Sequence, residues 1–136
     1  MEDNILGMLG LMKKASAVAV GEDKTAEAVL SGKARLLLLP ADAGEKKAER
    51  AERYIDGRSC EIVRLPFVEK ELSSAFGTES CTMAAITDLG FADSFIKRLA
   101  ERNHDAYGLI AETIHAKLLK INRRKAEKPG IKARKK

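Results

Sequence analysis

Apolar positions along the first hundred residues fall into two kinds of block, and the two alternate. Ile5, Met8, Leu9 and Met12 recur at helical spacing, and Asp3 stands where a cap belongs. Gly7 and Gly10, three apart, leave room for another element to come close. SAVAV (16–20) reads as a short strand. Asp23 is then placed to cap a second helix with Ala26, Val29 and Leu30 inward, and Gly32 ends it in the left-handed conformation. ARLLLLP is a nearly unbroken apolar run between turn residues, the pattern of a central strand covered on both faces. GEKKAERAERYIDG makes a charged surface helix with Ala48, Ala51 and Ile55 inward, Glu49 and Arg53 able to pair outside, and Gly57 beyond its end.

The alternation continues. CEIVRLP is a strand, FVEKELSSAFG a short helix buried through Val68, Leu72, Ala75 and Phe76 and stopped by Gly77, and CTMAAIT another apolar strand. Asp88 caps a helix carrying Phe91, Phe95 and Leu99. Strands alternating with helices predict an α/β fold, a three-layer α/β/α sandwich with a small mixed sheet. Past Arg102, Tyr107, Ile110, Ile114, Leu118 and Ile121 form one apolar stripe at helical spacing, which must bury on the chain's own core, a second copy or a partner. Gly108 weakens that helix by up to ~1 kcal/mol. Pro129-Gly130 breaks the pattern. The expected units are a domain over 1–103, an amphipathic helix over 104–124 and a basic disordered tail over 125–136.

Composition sharpens this. Of the 136 residues, 45% are apolar and 33% charged, as in ordinary globular domains, while 4% aromatic content with no tryptophan leaves a core of Leu, Ile, Val, Ala and Met. No window approaches the ~18 apolar residues of a membrane span. MEDNILGMLGLMKK is acidic first and basic later, the reverse of a secretory signal. Cys60 and Cys81 have no metal-ligand spacing and read as reduced thiols of a cytoplasmic protein, a disulfide between them being the alternative. Of 25 Lys and Arg, ten fall from Lys117 onward against one acid, Glu127, leaving 15 against 19 acids in the preceding 116 residues. The positive charge belongs to the C-terminus, where it suits salt-sensitive binding of nucleic-acid phosphates or, alternatively, solubility or an acidic protein.

No catalytic constellation is legible, and no cofactor or metal ligand set is expected. SGKAR has a Gly-Lys pair but not the remainder of a phosphate loop, and His104 and His115 read as solvated residues without a nucleophile nearby. The stretch VGEDKTAEAV (20–29) is the other feature of interest. Gly21 permits close backbone approach, the N–H groups of the helix start suit phosphate, Lys24 adds a cation, and Asp23 can accept from a guanine edge. The alternative is a capped corner facing solvent.

LGLMKKASAVAVGEDKTAEAVLSGKARLLLLPADA, followed by FVEKELSSAFG and AAITDLGFA, resembles the kink-turn-binding ribosomal protein family, the large-subunit proteins seven-Ae and thirty-e, with the bacterial YlxQ-like branch nearest. The resemblance covers roughly residues 4–100 and implies the same α/β/α sandwich. It also implies binding of sharply bent RNA through the turn after the first strand, whose family pattern is G-x-N-E-x-T-K. On that pattern Gly21 matches, Asp23 replaces Asn, Lys24 replaces Glu, Ala26 replaces Thr and Glu27 replaces Lys. The second family contact, a loop that is usually apolar, is here Thr78-Glu79-Ser80-Cys81.

The expected RNA contacts are therefore Gly21, Glu22, Asp23, Lys24, Glu27 and Lys33, the loop residues Glu79, Ser80 and Cys81, and Arg123, Arg124 and Lys125 of the basic segment. The expected function is non-catalytic binding of structured RNA, ribosomal or ribosome-associated, by a monomer or weak dimer. A ribosomal protein or a transcription or translation factor is a further candidate partner. A protein-interaction module that has lost RNA recognition is the alternative.

Overall fold

Four strands form the sheet and six helices cover it in a computed structural model that describes the backbone of residues 5–135 and the side chains of residues 5–126. In chain order these are α1 (Ile5–Lys14), β1 (Val18–Val20), α2 (Glu22–Leu30), β2 (Leu36–Leu39), α3 (Glu45–Ile55), β3 (Glu61–Arg64), α4 (Glu69–Phe76), β4 (Ala84–Ile86), α5 (Leu89–Arg102) and α6 (His104–Lys135). The expected Asp3 cap lies outside the described residues.

The sheet order is β1-β4-β2-β3, with β4 antiparallel to both neighbours and β2 parallel to β3. All four leucines of β2 are buried, as its unbroken apolar run predicts. Leu36 and Leu38 join the core made with α1, α4, α5 and α6, whereas Leu37 and Leu39 join the core beneath α2 and α3. The three-layer α/β/α sandwich with a small mixed sheet follows from that two-sided burial.

Local signals hold in several places. Asp88 caps α5 by accepting from the Phe91 N–H at 2.9 Å, and Gly32, Gly57 and Gly77 all take the positive φ expected at helix ends. A Cβ on Gly10 would meet the Ala75 carbonyl at 3.1 Å, so this glycine sets the approach of α1 to α4. Two inward faces differ from expectation. In α2 the buried residues are Thr25, Ala28 and Val29, while Leu30 is exposed, because the face toward the sheet starts at 25 and leaves Leu30 about 100° round the helix. Val68 is also exposed, since it is the extended N-cap of α4 and sits outside the helical face; its N–H donates to Glu71 Oε1 at 3.0 Å.

The stripe on α6 covers the chain's own core. Ile114 is fully buried, with Tyr107, Ile110, Leu118 and Ile121 packed around the same cluster. The Tyr107 hydroxyl donates to the Arg64 carbonyl at 2.9 Å, and Lys117 Nζ lies 3.8 Å from Glu61 Oε2, so α6 runs back along β3 from its last residue to its first. His115 is not simply solvated: its Nδ1 lies 3.0 Å from Oδ1 of buried Asp93 on α5. The α6 backbone runs on past residue 124 to Lys135, with Lys125 and Ala126, both good helix formers, continuing it. The tail expectation beyond Ala126 concerns side chains outside the described ones. Ile114→Ala should cost about 2–5 kcal/mol in urea unfolding, the range for a core aliphatic residue, if α6 is an integral layer; a cost near zero would mean that it is an appendage.

Candidate nucleic-acid interface

The turn between β1 and α2 is fixed by one residue. Gly21 has φ 101° and ψ 155°, a conformation essentially confined to glycine, and it is the N-cap of α2. No atom lies within 4 Å of where its Cβ would sit, so the requirement is one of backbone geometry, not of space. The expected Asp23 cap is not formed: the helix starts two residues earlier, at Gly21, with no side-chain cap, and Asp23 lies exposed within the first turn. The leading N–H groups of α2 thus carry the positive end of the helix dipole without a carboxylate cap.

Glu22 faces inward along the surface to α3. Arg50 Nε and Nη2 donate to its two carboxylate oxygens at 2.6 and 3.0 Å, and the Tyr54 hydroxyl donates at 2.6 Å. These bonds, first from Arg50 and then from Tyr54, hold the Glu22 carboxyl down at about 2. Among the expected RNA contacts Glu22 therefore serves as the fastener of the turn, while Asp23, Lys24 and Glu27 remain exposed. Beneath them Thr25 is fully buried, and its hydroxyl has no hydrogen-bond partner among the described residues.

The second expected segment lies alongside. The Gly21 N–H donates to the Met83 carbonyl at 2.8 Å, and Val20 pairs with Ala84, which brings the loop before β4 beside the turn. Glu79 and Ser80 are exposed at its tip. The Ser80 hydroxyl donates to Glu69 Oε2 at 3.1 Å, and the Glu69 N–H in turn donates to Asp42 Oδ1 at 2.9 Å, tying the loop to α4 and to the segment after β2. Cys81 is fully buried under the loop, and burial pushes its thiol up; burial likewise pushes Cys60 up to about 11. Both cysteines are free thiols, and neither has the depressed pKa of a nucleophile. No cluster of three or more metal-ligating side chains exists among the described residues.

Lys24, Glu27 and Lys33 line one groove of about 420 Å³ with Ser16, Ser31 and Thr87 along the outer edge of β1. Lys33 stands past the far end of α2, whose nine residues measure roughly 13 Å. Arg123, Arg124 and Lys125 are exposed on α6 beyond Lys117 and leave the domain at the end where β3 begins, away from Gly21. The structure thus joins Gly21–Lys24 and Glu79–Cys81 into one end of the sandwich and separates the C-terminal cations from it. Sequence reading missed Arg50, Tyr54, Asp42 and Glu69, which position this end; the one signal for the first pair was its i, i+4 spacing on a polar helix.

No family model matches the chain. Among curated proteins it is similar to the RNA-binding protein YlxQ of Bacillus subtilis (strain 168), at 30% identity over 96 residues that span 68% of this chain and 91% of YlxQ. The chain belongs to the YlxQ-like family. Two solved structures share the fold. One is a protein of unknown function from Bacillus halodurans C, with a TM-score of 0.63 and 23% identity over 69% of this chain and 94% of that one. The other is the Giardia lamblia 15.5kD RNA binding protein, with a TM-score of 0.53 and 18% identity over 86% and 89%. About a third of this YlxQ-like chain has no counterpart in the alignment with YlxQ itself.

Two outcomes test the turn. Gly21→Ala should lose about 1–3 kcal/mol of stability in denaturant unfolding, because alanine pays for the backbone conformation; an unchanged midpoint would contradict the assignment. The folded Glu22 carboxyl lies below its ordinary 4.5, so its contribution is complete above that value and disappears as pH falls toward about 2. Wild type should accordingly exceed Glu22→Gln in stability at pH 6, with the gap closing between pH 4.5 and 2. A gap independent of pH would sink this account of the fastener.

Proposed function

We propose that this YlxQ-like chain is a non-catalytic, ribosomal or ribosome-associated RNA-binding protein of the cytoplasm that reads structured, kink-turn-like RNA with the turn around residues 20–27. The observation that carries the reading is the adjacency of the Gly21 turn and the Glu79–Cys81 loop in a chain whose relative is named an RNA-binding protein. Uncapped N–H groups and Lys24 offer phosphate contacts at the helix start. Asp23 remains free to accept from a base edge. Glu27 and Glu79 oppose phosphate, each by on the order of 1 kcal/mol at the surface. Recognition therefore rests on the shape of the bent backbone more than on a full set of base contacts.

The exposed Arg123, Arg124 and Lys125 add sequence-independent attraction, which raises association rate and salt dependence. The alternative of a protein-interaction module loses one of its motives, since the apolar stripe of α6 lies on the chain's own core. Titrating labelled kink-turn RNA and an unbent duplex of equal length with the full chain separates the terms. Wild type should prefer and bend the kink-turn, and Lys24→Glu should weaken it by about tenfold, or ~1.4 kcal/mol. Arg123→Glu with Arg124→Glu should weaken both RNAs alike and lower the salt slope by about 2. Equal binding of kink-turn and duplex by wild type would overturn the kink-turn reading.

A further inference from the structure

The end of the sheet away from Gly21 is built differently. Both β1 and β2 are antiparallel to β4 and so run the same way, which puts Gly21 and Pro40 at one end and Ala17, Arg35 and Glu61 at the other. Lys33, Arg35, Arg58 and Lys117 converge on that second end. Arg58 Nη1 donates to the Leu30 carbonyl at the close of α2, at 3.1 Å, and Lys117 reaches Glu61 at the start of β3. Between α2 and the turn before β3 opens a pocket of about 240 Å³ lined by Gly32, Arg35, Gly57, Arg58, Ser59 and Cys60. Arg35 lines it, and the Nε of Arg35 is buried with no hydrogen-bond partner among the described residues. Arg35 and Arg58 thus place two guanidinium groups on the wall of one pocket, the kind of donor that pairs with an oxyanion.

Cations and acids both stand around this pocket. The acids at this end include Glu61, engaged by Lys117, Asp56, exposed beside Gly57, and Asp88, exposed two residues past Ile86; Glu27 lines the neighbouring groove that Lys33 shares. From the same end α6 carries Lys120, Arg123, Arg124 and Lys125, all exposed, and no acid occurs between Lys117 and Ala126. Arginine pairs fit phosphate oxygens in bidentate fashion, and a cationic helix tracks a phosphate backbone. Four-residue strands separate this end from the Gly21 turn by about 13 Å before the loops are added.

From this placement we propose that the Lys33–Arg35–Arg58–Lys117 end, continued by α6, is a second surface for nucleic-acid phosphates, so that one chain holds two RNA segments at once. The proposal rests on the RNA reading above and goes beyond it by locating a separate site with its own residues.

The test loads full-length protein to saturation on surface-bound kink-turn RNA, washes, and then measures recruitment of a labelled duplex RNA. Wild type should recruit the duplex. Arg58→Glu with Lys120→Glu, and separately Arg58→Gln with Lys120→Gln, should load as wild type does yet recruit less duplex, by at least about tenfold for the charge reversals, both positions being exposed. Loading without recruitment by wild type, or recruitment unchanged in both double variants, would overturn the second surface and leave the first intact. No loading of wild type on the kink-turn RNA, and none on surface-bound duplex run as a control, would defeat the RNA reading itself. Binding of poly-glutamate by loaded wild type with no duplex recruited would mark an acidic protein partner and overturn the proposal.

Discussion

Because side chains alternate along a strand, Leu36 and Leu38 enter one core and Leu37 and Leu39 the other, and β2 cannot form without a helical layer on each face. Each such leucine contributes about 1.5–3 kcal/mol when fully buried, so β2 is the strand the two layers are organised around. One face is closed by α2 and α3 and the other by α1, α4 and α5, with α6 laid over the edge at β3. The requirement also explains why the last strand in the chain is internal in the sheet. Ala84, Ala85 and Ile86 of β4 are small or slender enough to sit beside β2 while both faces remain covered.

That central β4 is what makes the candidate interface. Running antiparallel between β1 and β2, it must enter at the end where β1 leaves, and so the loop before it meets the turn after β1. Gly21 supplies a backbone geometry other residues resist, Glu22 ties the helix start to Arg50 and Tyr54, and the Asp42–Glu69–Ser80 chain steadies the opposing loop. Polar groups that sequence reading treats as ligand contacts thus divide into those that hold the frame and those that face outward. Lys24 is the exposed cation of the frame's open side. The more abundant positive charge lies at the other end of the molecule.

Much of the fold was legible because it rests on local pattern. Strand runs, glycines past helix ends and the Asp88 cap are decided within a few residues, and those expectations hold. Asp23 was misread because Gly21, with no side-chain cap, starts the helix two residues earlier than the capping rule suggests, and Leu30 because it lies about 100° round the helix from buried Val29. Glu22 with Arg50 and Tyr54 was not legible at all, since those partners lie 28 and 32 residues away. Nor could the sequence say whether the α6 stripe covers its own core or another molecule, as the same periodicity serves both. The separation of Arg123–Lys125 from the Gly21 turn is likewise a matter of helix direction, which only the fold supplies.

The central claim is that RNA engages the paired segments at the Gly21 end by shape. Backbone amide chemical shifts of the full-length protein, followed as kink-turn RNA is added at near-physiological salt, test it most directly. The account predicts the largest early changes at Gly21–Lys24 and Glu79–Cys81, with α6 responding at lower salt and to any duplex. Shifts confined to α6 and the surface around Lys33 and Arg58, with Gly21–Lys24 unmoved at saturation, would contradict it.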